Sequence, residues 1–424
     1  MYSFSWFRLA RSGAVTLLLG AAIAASASAQ TPPLPPPAAS VAAPSRPSLR
    51  EALDAAWTLS PDARSADSRR AEVQARERAA SSWINGSPSA LLAQRSDRFS
   101  NNGGFREYEA ELELPIWSPG VRGAAQRELA AQRQAFEPRQ EAARLKLAAA
   151  VREAAAGLAL ARSESELATR KHSEAQTLAQ DVERRVKAGD SARVDGLLAQ
   201  SLVQQTASTR EQADMALTRL QNQWLALTGL AAAPSLDEVL PGANAAITPD
   251  HPALQTAQAQ VQSAQAKLEL SEADRRDPMA IGVGVTRERA TFGAAGETSL
   301  RLALKIPFGT DSRNAPRIAA ARAELDAAQA ELDATQRQLQ GELASAVAEL
   351  DAARRTQAGM AERARLGTEV QALLVKAYRL GESDLPTRLR ADSEKFEADL
   401  SLARARVGLQ RAISQLRQAL GLLP

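Results

Sequence analysis

An internal duplication constrains this chain more than any other feature, because helix-breaking residues recur at one constant offset. Three such residues of the first half are matched 192 positions later in the second half: Pro115 and Pro307, Gly189 and Gly381, and Gly229 and Gly421. Helices rich in Ala and Leu resemble one another by chance, but three helix-breaking residues that recur at the same offset are much harder to obtain by chance. The pattern predicts two structural repeats, 48–230 and 251–424, joined by a linker, 231–250.

Both repeats follow the same plan. A helix of moderate length is followed by two short strands with a polar turn, at about 87–117 and 279–308. A very long helix then runs to the central Gly, and a second long helix returns, so that helical tips are predicted at about 189–191 and 381–384. We expect the first long helix to run from about Pro119 to Ala188 and to kink at Pro138.

The composition fits long helices and excludes several classes of site. Aromatic residues make up only 4% of the chain, too few to fill large globular cores. The sequence has no Cys, and its two His are isolated, which excludes thiol chemistry, disulfides and the common zinc sites. The sequence also lacks a Gly-rich phosphate loop and a Ser/His/Asp arrangement. The chain is therefore predicted not to be an enzyme, with no catalytic residue, metal site or cofactor.

The charge pattern argues against nucleic acid as a partner. The 52 basic and 49 acidic residues leave a net charge of +3 and interleave along the predicted helices. Interleaved charges are typical of a solvated helix face, whereas a phosphate-binding surface needs clustered cations.

The start of the chain resembles an export signal. Arg8 and Arg11 precede an apolar stretch, and Ala27-Ser28-Ala29 has the small-residue spacing of a cleavage site, so 1–29 is predicted to be a cleaved signal peptide. A Pro-rich tether, 30–47, follows. Ser48 and Glu51 then fit a capping box at the start of the first helix. Without Cys, the mature N-terminus is expected to carry no Cys-linked lipid anchor.

The predicted strands alternate between apolar and charged residues. Their length of roughly 9–11 residues suits a tilted strand that crosses a bilayer. Because backbone groups in lipid must be paired, such strands have to close into a barrel, and four strands per chain are too few, so several chains must pool them. The charged alternate positions are then expected to face the lumen of that barrel: Glu107, Glu109, Glu111, Glu113, Arg301 and Lys305.

Taken in order, these features resemble the TolC-like outer-membrane efflux family. The matching segments are SLREALDAAW, the strand ends ELELPIW and ALKIPFG, the turns GDSARVDGLLAQ and GESDLPTRLRADSE, and the closing QALGLL. The resemblance covers about 48–424. Within the family, KIPFGTDSRNAPRIAAA is similar to the branch that serves heavy-metal cation pumps of the cobalt–zinc–cadmium or copper–silver type.

The resemblance implies a fold, an assembly and partners. The fold would be mainly α-helical with a transmembrane β-barrel of twelve strands, formed by a homotrimer and continued by a periplasmic helical barrel. The chain would be the passive outer-membrane duct of a tripartite efflux system in a Gram-negative bacterium. It would contact outer-membrane lipid, a periplasmic adaptor and an inner-membrane pump of the resistance-nodulation-division type.

The resemblance also assigns roles to the helical tips. Docking to the adaptor is expected at two turns: Gly189, Asp190 and Ser191, and Gly381, Glu382, Ser383 and Asp384. Asp195 stands where the family's first repeat has an Asp, but Thr387 and Arg390 replace the acidic ring positions of the second repeat. We therefore expect Asp195 to pair with Arg388 or Arg390 as a substitute latch of the periplasmic gate.

Two other classes of protein stay open on the sequence. A periplasmic adaptor also has a long helical hairpin, but it would normally have one hairpin and no duplication. A structural coiled-coil protein would leave the paired strands and the common register of Gly and Pro unexplained.

Overall fold

The computed structural model describes residues 47–242, 246–308 and 311–424. The predicted signal peptide and all but the last residue of the Pro-rich tether lie outside the described residues. In chain order the first repeat contains α1 (Leu49–Leu59), α2 (Pro61–Ser81), β1 (Ser89–Ser96), β2 (Arg106–Ile116), α3 (Val121–Gln134), α4 (Phe136–Ala188) and α5 (Arg193–Thr228). The second repeat contains α6 (Pro252–Ala273), β3 (Met279–Arg289), β4 (Glu297–Lys305), α7 (Asp311–Leu380) and α8 (Leu385–Ala419).

The start of α1 confirms the predicted capping box. The backbone N–H of Glu51 donates to the Ser48 hydroxyl at 3.2 Å, and the backbone N–H of Ser48 donates to the Glu51 carboxylate at 2.7 Å. Two N–H groups that a helix start leaves unpaired are satisfied in this way.

The first long helix differs from its prediction at two points. It begins at Val121 rather than Pro119, and Gly120, with φ of 85°, occupies the N-cap position without a side-chain cap. A break at Ala135 separates α3 from α4, three residues before Pro138. Pro138 has no N–H to donate to the carbonyl of Gln134, so the predicted kink falls where that hydrogen bond is missing.

Paired helices form most of the chain. The 53 residues of α4 pack against α5, and the 70 residues of α7 pack against α8. At 1.5 Å per residue, α7 is about 105 Å long. Small residues line the contacts, as in the cluster where Ala346 and Leu350 of α7 meet Ala412 and Leu416 of α8. The absence of a large side chain at these Ala positions lets the helix axes approach closely.

All four strands join one antiparallel sheet in the order β1-β2-β3-β4. The hairpins β1–β2 and β3–β4 lie within the predicted ranges, and β2 pairs with β3 across the two repeats, with Leu112 opposite Val283. Within the described chain, β1 and β4 are the two edges of the sheet, each with one side unpaired. A sheet whose edges are free needs further strands if it is to lie in lipid.

A buried ionic cluster joins the inter-repeat linker to both repeats. Arg152 of α4 and Glu238 of the linker have side chains that are only 4% and 5% exposed, and they pair at 2.7 Å. The Glu238 carboxylate also accepts from Ser414 at 2.5 Å and from Arg417 at 2.9 Å. Arg152 in turn donates to the side chain of Gln418 and to the carbonyl of Leu422. We call these residues the linker cluster.

The linker cluster also determines the charge of Glu238. Burial by itself would raise the pKa of Glu238, but hydrogen bonds from Arg152 and Ser414, together with the charges of Arg152 and Arg417, hold it below its ordinary value. The carboxylate therefore stays ionised at neutral pH and compensates two guanidinium groups.

Candidate functional site

The sheet has two chemically different faces. Side chains alternate along each strand, so every second residue shares a face with its cross-strand partners. One face, which we call the apolar face, exposes large aliphatic side chains: Leu92, Leu112, Ile281, Val283, Val285, Leu300, Leu302 and Leu304. The opposite face, which we call the charged face, has the predicted lumen residues and, in addition, Arg95, Glu288 and Glu297.

Ion pairs connect the strands on the charged face. Arg301 Nη1 lies 2.9 Å from Glu109 Oε1 and 3.9 Å from Glu111 Oε2, and Lys305 Nζ lies 3.5 Å from Glu113 Oε1. Arg95 Nη1 lies 3.3 Å from Glu107 Oε2. Because the cations are more than half exposed, each pair contributes at most about 1 kcal/mol to stability. Their main effect is on the electrostatic potential above this face.

The duplication explains how these ion pairs arise. Glu109 and Arg301 are separated by 192 residues, as are Glu113 and Lys305, so each pair joins equivalent positions of the two repeats. In the sheet, β3 lies between β2 and β4. Gly282 and Gly284 of β3 have no side chain, so the space between the side chains of β2 and those of β4 stays open. Equivalent positions have thus acquired opposite charges and meet across β3.

Glycine ends the first long helix of each hairpin at the tips. Gly189 and Gly381 have φ of 86° and 79°, a backbone conformation that residues with a side chain seldom adopt. After Gly381, the Asp384 carboxylate caps α8 by accepting from the backbone N–H of Thr387 at 3.0 Å. Hydrogen bonds from Thr387 hold the pKa of Asp384 below its ordinary value. The predicted tip residues are therefore the turn residues of two helical hairpins.

Tyr378 joins the two hairpins near their tips. Its side chain is buried among Leu178, Val182 and Leu385. The guanidinium carbons of Arg185, on α4, and Arg388, on α8, lie 5.0 Å and 4.9 Å from the centre of its ring. Each such cation–π contact contributes about 0.5–2 kcal/mol, depending on desolvation. We call Tyr378, Arg185 and Arg388 the tip clamp.

The predicted latch residues have other partners in the structure. Asp195 lies in the first turn of α5, where a negative charge favours the helix dipole. Arg388 pairs with Asp392 at 3.7 Å, in addition to its contact with Tyr378. Within the part of the chain that the structure describes, Asp195 forms no ion pair with Arg388 or Arg390. A pair between copies of the chain stays a prediction.

Sequence reasoning missed Tyr378, Arg185, Glu288 and Glu297. The sequence offered one signal for the tip clamp: Tyr378 stands three residues before Gly381, in a helix end that also has Lys376 and Arg379. The partners could not be foreseen, because Arg185 and Tyr378 belong to different repeats. Glu288 extends the alternation of β3 by one step beyond Thr286, and Glu297 extends that of β4 by two steps beyond Arg301.

Both His have structural partners. His172 Nδ1 lies 3.1 Å from the Thr206 hydroxyl, and His251 accepts from the backbone N–H of Ala253 at the start of α6. Among the described residues, no group of three or more His, Asp or Glu is arranged to hold a metal ion. The same residues include no helix both long enough and apolar enough to cross a membrane.

Comparison with known proteins finds a family match in the second repeat. Residues 248–422 match the family model described as outer membrane efflux protein. The second repeat of the chain is therefore similar to the outer membrane efflux protein family. No curated protein sequence matches the chain significantly. The matched segment includes β3, β4 and the second helical hairpin.

Solved structures of outer membrane proteins and channels share the fold. The outer membrane protein VceC of Vibrio cholerae is 17% identical, with a TM-score of 0.69 over 88% of this chain and 96% of that protein. The CmeC outer membrane channel of Campylobacter jejuni is 15% identical, with a TM-score of 0.71 over 88% and 85%. The open MtrE channel of Neisseria gonorrhoeae is 17% identical, with a TM-score of 0.65 over 89% of each chain. At these identities the likeness shows the fold alone.

Proposed function

We propose that this protein is the passive exit duct of a tripartite efflux system, working as a homotrimer. The observation that carries the proposal is the four-stranded sheet with one exposed apolar face, one charged face and two free edges. In lipid, free edges must be paired. Three chains would supply twelve strands, an even number within the known range of closed barrels.

The two faces then have different environments. The apolar face lies against lipid, because burying exposed aliphatic side chains in hydrocarbon avoids their contact with water. The charged face lines the lumen, where its ion pairs stay hydrated. The long helical hairpins extend from the barrel into the periplasm.

The helical tips form the gate and the docking rim for the periplasmic adaptor. The tip clamp favours the closed arrangement, because it attaches the α7–α8 hairpin to the α4–α5 hairpin. Separation of the hairpins would expose Tyr378 and remove its cation–π contact with Arg185 of α4, whereas Arg388 of α8 belongs to the same hairpin as Tyr378. Binding of the adaptor to the turns at 189–191 and 381–384 would supply the free energy for that separation.

The inner-membrane partner is a pump of the resistance-nodulation-division type. The segment 305–321 is similar to the branch that serves heavy-metal cation pumps, so heavy-metal cations are the first cargo to test. A duct needs only weak contacts with its cargo, and this agrees with a lumen built from ion-paired residues. The signal peptide directs export and is cleaved after Ala29.

Membrane fractionation and planar-bilayer recording test the proposed function. The mature protein is expected in the outer membrane, soluble only in detergent, and the purified protein should form channels. Recovery in the soluble fraction, or in the inner membrane, would favour the coiled-coil or adaptor interpretation instead.

The charged face gives a prediction for ion selectivity. Replacing Arg301 with Gln removes the cation nearest Glu109 and Glu111, so the preference for cations is expected to rise about twofold, or about 0.4 kcal/mol. Replacing Glu107, Glu109, Glu111 and Glu113 with Gln is expected to lower it. Reversal potentials in a salt gradient measure both effects.

The control for this prediction is Arg69→Gln, which removes one positive charge from α2. This control should leave the reversal potential near that of the wild type. If neither the Arg301 variant nor the quadruple variant changes selectivity, the charged face does not line the lumen.

A further inference from the structure

The apolar face ends in three arginines at the end of the sheet farthest from the helices. Arg106 of β2 lies directly opposite Arg289 of β3, and the next outward-facing pair along these strands is Tyr108 and Arg287. Alternation places all four on the apolar face, beyond Leu112 and Val285. We call Arg106, Arg287 and Arg289 the arginine rim.

No counter-charge for the arginine rim is found in the described part of the chain. Among the described residues, no carboxylate lies within 4.0 Å of any of the three guanidinium groups. Arg289 donates weakly to the carbonyl of Gly104, at 3.4 Å, and lies 5.9 Å from the ring of Phe292. Like charges directly opposite each other on neighbouring strands are destabilising. A bound anion would offset that cost.

A cleft lies beside these arginines. It measures approximately 540 Å³ and is lined by the arginine rim, Tyr108, Glu288, Ala294 and Gly296. Glu288 belongs to the charged face by alternation, so the cations and the tyrosine form the outward-facing part of the lining. Tyr108 is 48% exposed and offers an aromatic ring at the boundary between the apolar and charged zones.

The height of the arginine rim fits the headgroup region of a bilayer. Arg106 lies ten residues from Ile116, the other end of β2. That separation is about 34 Å along a strand, and about 26 Å along the barrel axis at a tilt of about 40°. The apolar band of a transmembrane barrel is about 25 Å tall. Arginines at this level meet headgroups rather than acyl chains.

We propose that the arginine rim binds the phosphate groups of a phosphorylated glycolipid in the outer leaflet of the outer membrane. The inference rests on the proposed function, which places this end of the sheet at the cell exterior. Guanidinium groups bind phosphate through two parallel hydrogen bonds, and the apolar face below them accommodates the acyl chains. The lipid thus supplies both the missing negative charge and the apolar contact.

The test measures binding of bis-phosphorylated lipid A to the purified protein in detergent. Because hydrogen bonds to charged groups are stronger than those between neutral groups, the triple variant Arg106→Gln, Arg287→Gln, Arg289→Gln should bind lipid A about tenfold or more weakly. Dephosphorylated lipid A should bind the wild type with similarly reduced affinity. The control is Arg337→Gln, Arg355→Gln, Arg363→Gln, which changes three exposed arginines of α7 and should bind as the wild type does.

Three results would overturn the inference. The first is that the two triple variants bind lipid A equally well. The second is that the wild type binds dephosphorylated lipid A as tightly as lipid A. The third is that inorganic phosphate displaces lipid A when both are present at the same concentration. Conductance in bilayers of phospholipid alone is recorded for every variant and should be unchanged. A wild-type protein that forms no channel contradicts the proposed function, whereas equal binding by the two variants contradicts only the role of the arginine rim.

Discussion

Replacing Glu238 with Gln is expected to lower the free energy of unfolding by about 3–5 kcal/mol, because it leaves the buried guanidinium group of Arg152 and the partly buried one of Arg417 without their counter-charge. Arg152 and Arg417 both donate to this carboxylate, and Arg152 is 4% exposed. The change keeps the size of the side chain, so packing is preserved. Urea unfolding in detergent, followed by circular dichroism, measures the difference.

The matched control is Glu153→Gln. Glu153 is the neighbour of Arg152 on α4 and pairs with Arg411 of α8 at 2.8 Å, but its side chain is 64% exposed. Loss of an exposed pair costs about 0–1 kcal/mol. Equal effects of the two substitutions would show that the linker cluster does not hold the repeats together.

The linker cluster also predicts how stability depends on pH. The pKa of Glu238 is lower in the folded chain than its ordinary value of 4.5. The contribution of Glu238 to the free energy of unfolding is therefore fully present above pH 4.5. The contribution is lost as the pH falls through the folded pKa. Below pH 4.5 the wild type should therefore lose stability more steeply than the Glu238→Gln variant, and parallel profiles would contradict this role of Glu238.

Replacing Tyr378 with Leu is expected to raise the open population of the channel about tenfold. The variant loses the contact with Arg185, which joins the two hairpins and contributes about 0.5–2 kcal/mol, and 1.4 kcal/mol corresponds to a factor of about ten. Open probability in planar bilayers measures the shift.

Two further variants separate the tip clamp from other causes. Tyr378→Phe keeps the aromatic ring and should behave nearly as the wild type. Asp195→Lys changes the predicted latch residue, which has no ion pair with Arg388 or Arg390 in the described chain, and should have a smaller effect than Tyr378→Leu. If Asp195→Lys opens the channel and Tyr378→Leu does not, a latch between protomers is the better explanation.

Much of the fold follows from local signals in the sequence. Gly189 and Gly381 end helices because their positive φ suits Gly, and the alternation around Glu111 and Leu302 predicts strands with one charged face. The strand pairs and the helical tips lie where these signals place them.

Contacts between distant segments were beyond such reasoning. Glu238 is 86 residues from Arg152, and Arg301 is 192 residues from Glu109. Nothing local to Glu238 distinguishes it from a solvated acid, because its partners are set by how α4, α8 and the linker pack. For the same reason the cation–π contacts of Tyr378 and the ion pairs of the charged face appear only in the folded chain.

Disulfide cross-linking between the edge strands β1 and β4 tests the central claim most directly, since the chain has no Cys of its own. Leu92→Cys is combined in turn with Leu300→Cys, Leu302→Cys and Leu304→Cys. In oxidised, detergent-solubilised protein, at least one combination should give dimers and trimers and nothing larger. Two results would contradict a closed barrel of three chains. One is that every combination gives only monomers, and the other is that cross-linked products larger than trimers form.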